Sequence, residues 1–137
     1  MTNDRFKFRA KRLDNSEFVC GYYLPMLSGY KHFIYLPLNY LNEHSRIEID
    51  PKTLGLNTGL KDKNGEEIYE GDIVKYIDDA GRNRIGIINW WEFCYFANAL
   101  GGDDEGNQDI ELHPDYLQNI EVIGNIYENP KLLENDK

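Results

Sequence analysis

The side chains able to do chemistry in this 137-residue chain are three histidines, two cysteines and an excess of carboxylates. Nucleophilic catalysis needs a serine or cysteine activated by a histidine with an orienting acid. Cys94 with His113 is a pair that chain order permits, yet no local motif marks it. The glycines do not fall at the spacings of a nucleophile elbow, a phosphate-cradling loop or a dinucleotide fingerprint. His32, His44 and His113 with Cys20 and Cys94 lack the close paired spacings of a structural zinc site, so they read as satisfied or surface histidines and as two reduced, buried cysteines. Asp103, Glu105, Asn107 and Asp109 alternate as calcium ligands might. With Asp103 in first place, however, Gln108 stands where such a loop needs glycine and Pro114 where it needs a bidentate glutamate. No catalytic, cofactor-binding or metal-ligating residue is therefore assigned, and no cofactor is expected. The chain is expected not to be an enzyme; a carboxylate- or metal-dependent hydrolase is the alternative that spacing cannot locate.

Two other groupings suit binding. Trp90, Trp91, Phe93, Tyr95 and Phe96 crowd one segment, and on a strand Trp90 and Trp91 face opposite sides, so one of them is expected at the surface. An exposed tryptophan beside a tyrosine is a typical interface anchor, which makes Trp90, Trp91, Phe93 and Tyr95 a candidate protein interface; cover by the chain itself or by a second subunit is the alternative. Arg5, Lys7, Arg9, Lys11 and Arg12 against Asp4 give residues 1–12 a net charge of +4, leaving −13 for the rest, since −9 minus +4 is −13. That basic strand could follow a phosphate backbone or neutralise the chain's own acids. A net charge of −9 and a pI near 4.7 work against capture by nucleic acid or anionic membranes, so a protein partner or self-association is the leading expectation. The start MTNDRFKFRAK has no apolar signal core, and the near-apolar run 18–27 is shorter than the roughly 20 residues a membrane helix needs, so a cytoplasmic location is expected.

The elements that must carry these residues read as strands. RFKFRA at 5–10 alternates basic and apolar residues, residues 14–16 turn, and 17–24 return before Pro25. Further strands are expected at 32–36 and 46–49, the last stopped by Asp50-Pro51. Residues 62–65 suit a tight turn and Glu70-Gly71 a second, with a short strand between. Segments 72–77 and 84–92 form a hairpin around 78–81, 93–97 continues the sheet, and 101–109 is a polar surface loop. A helical turn from Pro114 to Leu117, a closing strand at 121–126 and a short helix at 131–134 complete the chain. Gly86 inside a strand marks a bulge, a bend or a close approach.

Residues 58–76, TGLKDKNGEEIYEGDIVKY, and 121–133, EVIGNIYENPKLL, together with the opening FKFRA and residues 17–22 and 49–60, resemble in order and spacing the YopX-like family of phage and prophage proteins. The strands above make the chain mainly β, with an N-terminal β meander over 1–57, short helical turns, and a terminal helix and polar tail over 128–137; the resemblance implies an SH3-like barrel over 58–127. It implies no activity and no catalytic residues. Where that family often has an aromatic residue and an acid after its first strand, this chain has Lys11 and Arg12. Turn chemistry accounts for the longer signature: Gly65 and Gly71 supply positive φ, Asp72 accepts backbone N–H bonds, and Ile68, Ile73 and Val74 fill the barrel.

Overall fold

A computed structural model describes residues 7–25, 31–36, 46–78, 80–91, 94–100 and 109–134. The chain divides into two compact units, Met1–Asn57 and Thr58–Lys137.

In the first unit, period-two alternation sets the core. Strand β1 (Phe8–Lys11) pairs antiparallel with β2 (Phe18–Pro25), which pairs with β3 (His32–Tyr35), and β3 with β4 (Arg46–Ile49). Phe8 and Ala10 fall on one face opposite Gly21 and Val19, and this face meets Ile34 and Ile49 in a core flanked by Tyr23 and Leu54. The meander curls on itself: Arg12 bridges Ile49, the Leu13 N–H donates to Glu48 O at 3.1 Å, and the Asp50 N–H donates to Lys11 O at 2.9 Å. A 3-10 turn at Pro51–Thr53 then reverses the chain, with the Asp50 carboxylate accepting from Lys52 N–H at 3.0 Å. It leads into β5 (Gly55–Lys61), whose first residues pair with β1. Sequence periodicity missed β5, because GLNTGLK carries two glycines and no apolar alternation.

Beyond Asn57, β5 belongs to the second unit and lies beside β6 (Glu67–Tyr69). The larger sheet there runs β10-β9-β8-β7-β11, from β7 (Asp72–Ile77), β8 (Asn83–Trp91), β9 (Cys94–Ala99), β10 (Ile110–Glu111) and β11 (Glu121–Asn125), every neighbour antiparallel. Its inner face buries Val74, Tyr76, Ile88, Ala97 and Ile110 against Ile68, Leu112 and Ile120. The mainly β, antiparallel class is the one that forms. A closed barrel is not among the pairings of the described residues, where β10 and β11 are the two edges of the order.

Ile73 departs from its expected place. It is fully buried but lies outside the cluster that holds Val74, because adjacent strand residues face opposite sides. Its partner Gly124 is covered by the chain beyond β11: a Cβ there would come within 2.6 Å of the Asn129 side chain. The segment holding the 3-10 turn Pro130–Leu133 thus folds back over that face of the sheet.

The two sequence signatures meet in this unit. The buried Asp62 accepts the N–H groups of Asn64 (2.8 Å) and Glu66 (2.9 Å) on Oδ1 and that of Val122 (2.9 Å) on Oδ2. The Lys63 N–H donates to Ile120 O at 3.0 Å, and the Ile126 N–H to Gly71 O at 2.9 Å. Gly65 and Gly71 adopt φ of +83° and +88°, and Asp72 Oδ2 accepts the Tyr69 N–H at 2.8 Å.

Asp78 closes the β7–β8 hairpin in a similar way. Oδ1 accepts N–H groups from Ala80 and Arg82, while Oδ2 lies 3.0 Å from Arg84 Nε and 3.2 Å from Arg82 Nε. Burial by itself raises the pKa of this carboxyl, but the Arg82 N–H, the Arg84 guanidinium and the Ala80 N–H outweigh it and hold the carboxyl at about 2 instead of 3.8.

Two outcomes follow for stability. Gly71→Ala costs more than Gly65→Ala in chemical denaturation: each forces an L-residue into positive φ at about 1–2 kcal/mol, and only at Gly71 does the new methyl meet a side chain, the Tyr127 ring at 3.3 Å. For Asp78, the unfolded chain takes up its proton first as pH falls, so the carboxylate's contribution is complete above 3.8 and is lost on acidification towards about 2. Asp78→Asn flattens the acid limb of a melting-temperature profile across that window.

Candidate functional site

The aromatic site is built from the turn that precedes β7. The Gly71 N–H donates to Ile88 O at 2.9 Å, which fastens the Glu70-Gly71 turn to β8. From there β8 alternates Gly86, Ile88 and Trp90 on one face. Gly86 and Ile88 are buried, whereas Trp90 passes the end of the core and is 53% exposed. Its cross-strand partner on β9 is Tyr95, and the two rings meet edge to face with centroids 4.8 Å apart and planes at 72°. That arrangement suits the ring quadrupoles and fixes the orientation of an exposed indole. Tyr95 packs on the core with its other side, so burial first, and then the charge of Glu70, pushes its phenol up to about 12. An exposed tryptophan, a tyrosine that stays neutral and a nearby carboxylate thus share one corner of the unit. The corner is an exposed aromatic patch with one acid at its margin.

The remaining candidates are dispersed. Trp91 pairs with Cys94 through the backbone; its side chain, Phe93, Arg5, His44 and residues 101–108 lie outside the described residues. On β1, the guanidinium of Arg9 sits 4.9 Å and the ammonium of Lys11 5.7 Å from the centre of the Phe18 ring. Arg12 clasps Asp14 through Nε at 2.8 Å and Nη2 at 2.7 Å, a pairing that lowers the Asp14 pKa and raises that of Arg12. Lys7 precedes β1, its carbonyl accepting the Asn57 N–H at 2.8 Å. Arg9, Lys11 and Arg12 are engaged within the first unit, two at a ring and one at a carboxylate.

His113 Nδ1 accepts the Asp115 N–H at 3.1 Å and caps the 3-10 turn Pro114–Asn119. His32 Nδ1 lies 2.6 Å from Tyr23 OH. Neither described cysteine is in a disulfide; Cys94 is half-buried, and Cys20 is exposed instead of buried, because pairing with Arg9 puts it on the face of β2 away from Ala10 and Ile34. Asp109, the described member of the acidic alternation, spends its carboxylate on the Ala99 N–H at 2.7 Å and on the Asn98 amide. Among the described residues no three His, Cys, Asp or Glu side chains are grouped to hold a metal, and no helix is long and apolar enough to cross a membrane. Sequence reasoning missed Asp62 as an organiser of this unit and Glu70 as the acid near Tyr95. The signal for Asp62 was present, since an aspartate two residues before Asn-Gly commonly folds its carboxylate onto the next N–H groups.

The fold defines a class: a two-unit, antiparallel β protein with an exposed aromatic pair, Trp90 on Tyr95, at one hairpin end. The YopX protein family model matches residues 7–134, so the chain belongs to that family. The crystal structure of protein EF1440 from Enterococcus faecalis is similar, with 29% identity over 93% of this chain and 96% of that one and a TM-score of 0.52. No curated protein matches.

The Trp90–Tyr95 contact makes a spectroscopic prediction. In an NMR titration with isotope-labelled tyrosine, Tyr95 stays un-ionised past pH 10 and titrates near 12. Trp90→Ala uncovers the ring and moves that midpoint down towards the ordinary tyrosine value of about 10. A Tyr95 midpoint unmoved by the substitution contradicts the packing described.

Proposed function

We propose that this protein is a phage- or prophage-type accessory protein that works in the cytoplasm as a non-enzymatic protein-interaction module. We read its second unit as a variant of the SH3-like barrel. Support for that comes from the Asp62 turn bound to β11, the Gly71 turn bound to β8, and the register shift between Val122 and Gly124 that bends the edge strand. The observation that carries the functional reading is the exposed Trp90 locked edge to face on Tyr95. An indole held in one rotamer loses little conformational freedom on binding and offers a large apolar face, which is why tryptophan dominates contact energies at interfaces.

The electrostatic setting supports a partner segment that carries positive charge. Glu70 lies close enough to bear on the Tyr95 phenol, and the chain carries −9 overall, so a partner segment presenting Arg or Lys gains both ring-face attraction and charge complementarity at this corner. The basic strand supports nucleic-acid binding less well, since Arg9, Lys11 and Arg12 already engage Phe18 and Asp14.

Trp90→Ala tests the reading. With Trp90 half exposed, the variant keeps its fold and loses under about 1 kcal/mol of stability. In sedimentation and co-purification from the native host it loses the partner or the self-association of the parent protein, with a truncated hot-spot tryptophan costing about 2 kcal/mol or more of binding. Glu70→Lys weakens the same contact. Parent and Trp90→Ala proteins that behave identically in both assays overturn the reading.

A further inference from the structure

A cleft of about 230 Å³ opens in the second unit beside β7, apart from the Trp90 surface. It exists because β11 starts late. The chain ahead of β11 is wound into the 3-10 turn Pro114–Asn119, so pairing with β7 ends at Glu121 with Lys75. Beyond Lys75, the Tyr76 and Ile77 backbone has no strand on that side among the described residues. The opening is therefore a gap in a sheet edge, walled by side chains from four separate stretches of chain.

Those side chains are cationic and amide-bearing. Lys63 comes from the Asp62 turn, Lys75 from β7 and Arg84 from β8, with Glu121 as the single acid among the lining residues. The lining carries three positive charges and one negative, and with the Asp78 carboxylate that binds Arg84 included the cleft stands at +1 in a chain of −9. Arg84 is anchored on Asp78 at 3.0 Å, and Lys63 lies 3.8 Å from Glu121. Lys75 and the amides of Asn83, Gln118 and Asn119 have no side-chain partner among the described residues. These heads are solvent-exposed donors around one opening, so a small polar ligand can engage several of them at once by displacing water.

We propose that this cleft binds a small phosphomonoester, its phosphate held between Lys75 and Lys63 and its organic part met by the Asn83, Gln118 and Asn119 amides. A phosphate dianion offers three terminal oxygens to the two flexible ammonium groups and the amide N–H donors, whereas a lone carboxylate would leave donors unused. Glu121 then stands ready to accept from a hydroxyl or amide of the ligand. The cleft is smaller than the roughly 300–1,000 Å³ of drug-sized sites, and the chain's acidity repels long polyanions, so a small ligand fits and a nucleic-acid strand does not.

The test uses the full chain and follows backbone amide shifts on adding inorganic phosphate or a nucleoside monophosphate against chloride at matched ionic strength. Shifts are expected at Lys75, Asn83, Gln118 and Asn119. The monophosphate should bind more tightly than phosphate alone, because it engages the amides. Lys75→Ala and Lys63→Ala, both at exposed positions, each weaken binding about tenfold or more, and Glu121→Gln tightens inorganic phosphate by removing a like charge. Trp90→Ala leaves binding unchanged, which separates this site from the aromatic surface. Absence of shifts at the cleft, shifts that persist undiminished in Lys75→Ala, or affinity that climbs with oligonucleotide length overturns the proposal.

Discussion

The second unit depends on the carboxylate of Asp62. One side chain takes three backbone N–H groups, two from its own turn and one from Val122, sixty positions away. Closing a loop of that length costs about 4 kcal/mol of chain entropy before any contact is made. Hydrogen bonds to a charged acceptor contribute about 1.5–3 kcal/mol each, so this carboxylate together with the neighbouring Lys63 to Ile120 bond offsets the closure. With β11 thus tied to the Asp62 turn, the pairing of β11 with β7 follows in register.

The same frame sets up the surface. Ile126 bonds to the carbonyl of Gly71, and the N–H of Gly71 bonds to Ile88 two residues before Trp90. One glycine peptide unit therefore connects the closing strand to the hairpin that carries the indole. Gly71 supplies the positive φ and lets the Tyr127 ring lie against it, so backbone geometry and packing depend on the same missing Cβ. Glu70 is carried along in the turn, which is how an acid comes to lie beside Tyr95. The long signature is thus a scaffold motif whose side effect is to place a charge at the edge of the aromatic site.

Legibility in the sequence followed the locality of each interaction. The Asn64-Gly65 and Glu70-Gly71 turns, the alternation of β1 and the short β4 were readable, because a few neighbouring residues decide them. Strand β5 was not, since GLNTGLK owes its extended form to the neighbouring strands it pairs with. The two-residue β10 was invisible for the same reason. Ile73 was assigned to the wrong face because two adjacent apolar residues were both sent inward, and only the fold-back of the chain after β11 shows why the second side is also dry. The basic strand was legible as a charge pattern but not as a set of contacts. Its partners Phe18 and Asp14, which Lys11 and Arg12 engage, depend on hairpin register. Of the aromatic cluster, the sequence predicted an exposed indole next to a tyrosine, while its identity as Trp90 and its carboxylate neighbour came from the geometry.

Native-state hydrogen exchange in Asp62→Ala tests the central claim most directly. If the carboxylate ties the signatures together, protection falls at Asn64, Glu66 and Val122 together, and the loss extends to the Gly71 and Ile126 amides in the connected bonds. Loss confined to Asn64 and Glu66, with Val122 and Gly71 as slow as in the parent, would show that the turn is a local feature and that β11 is held by other means.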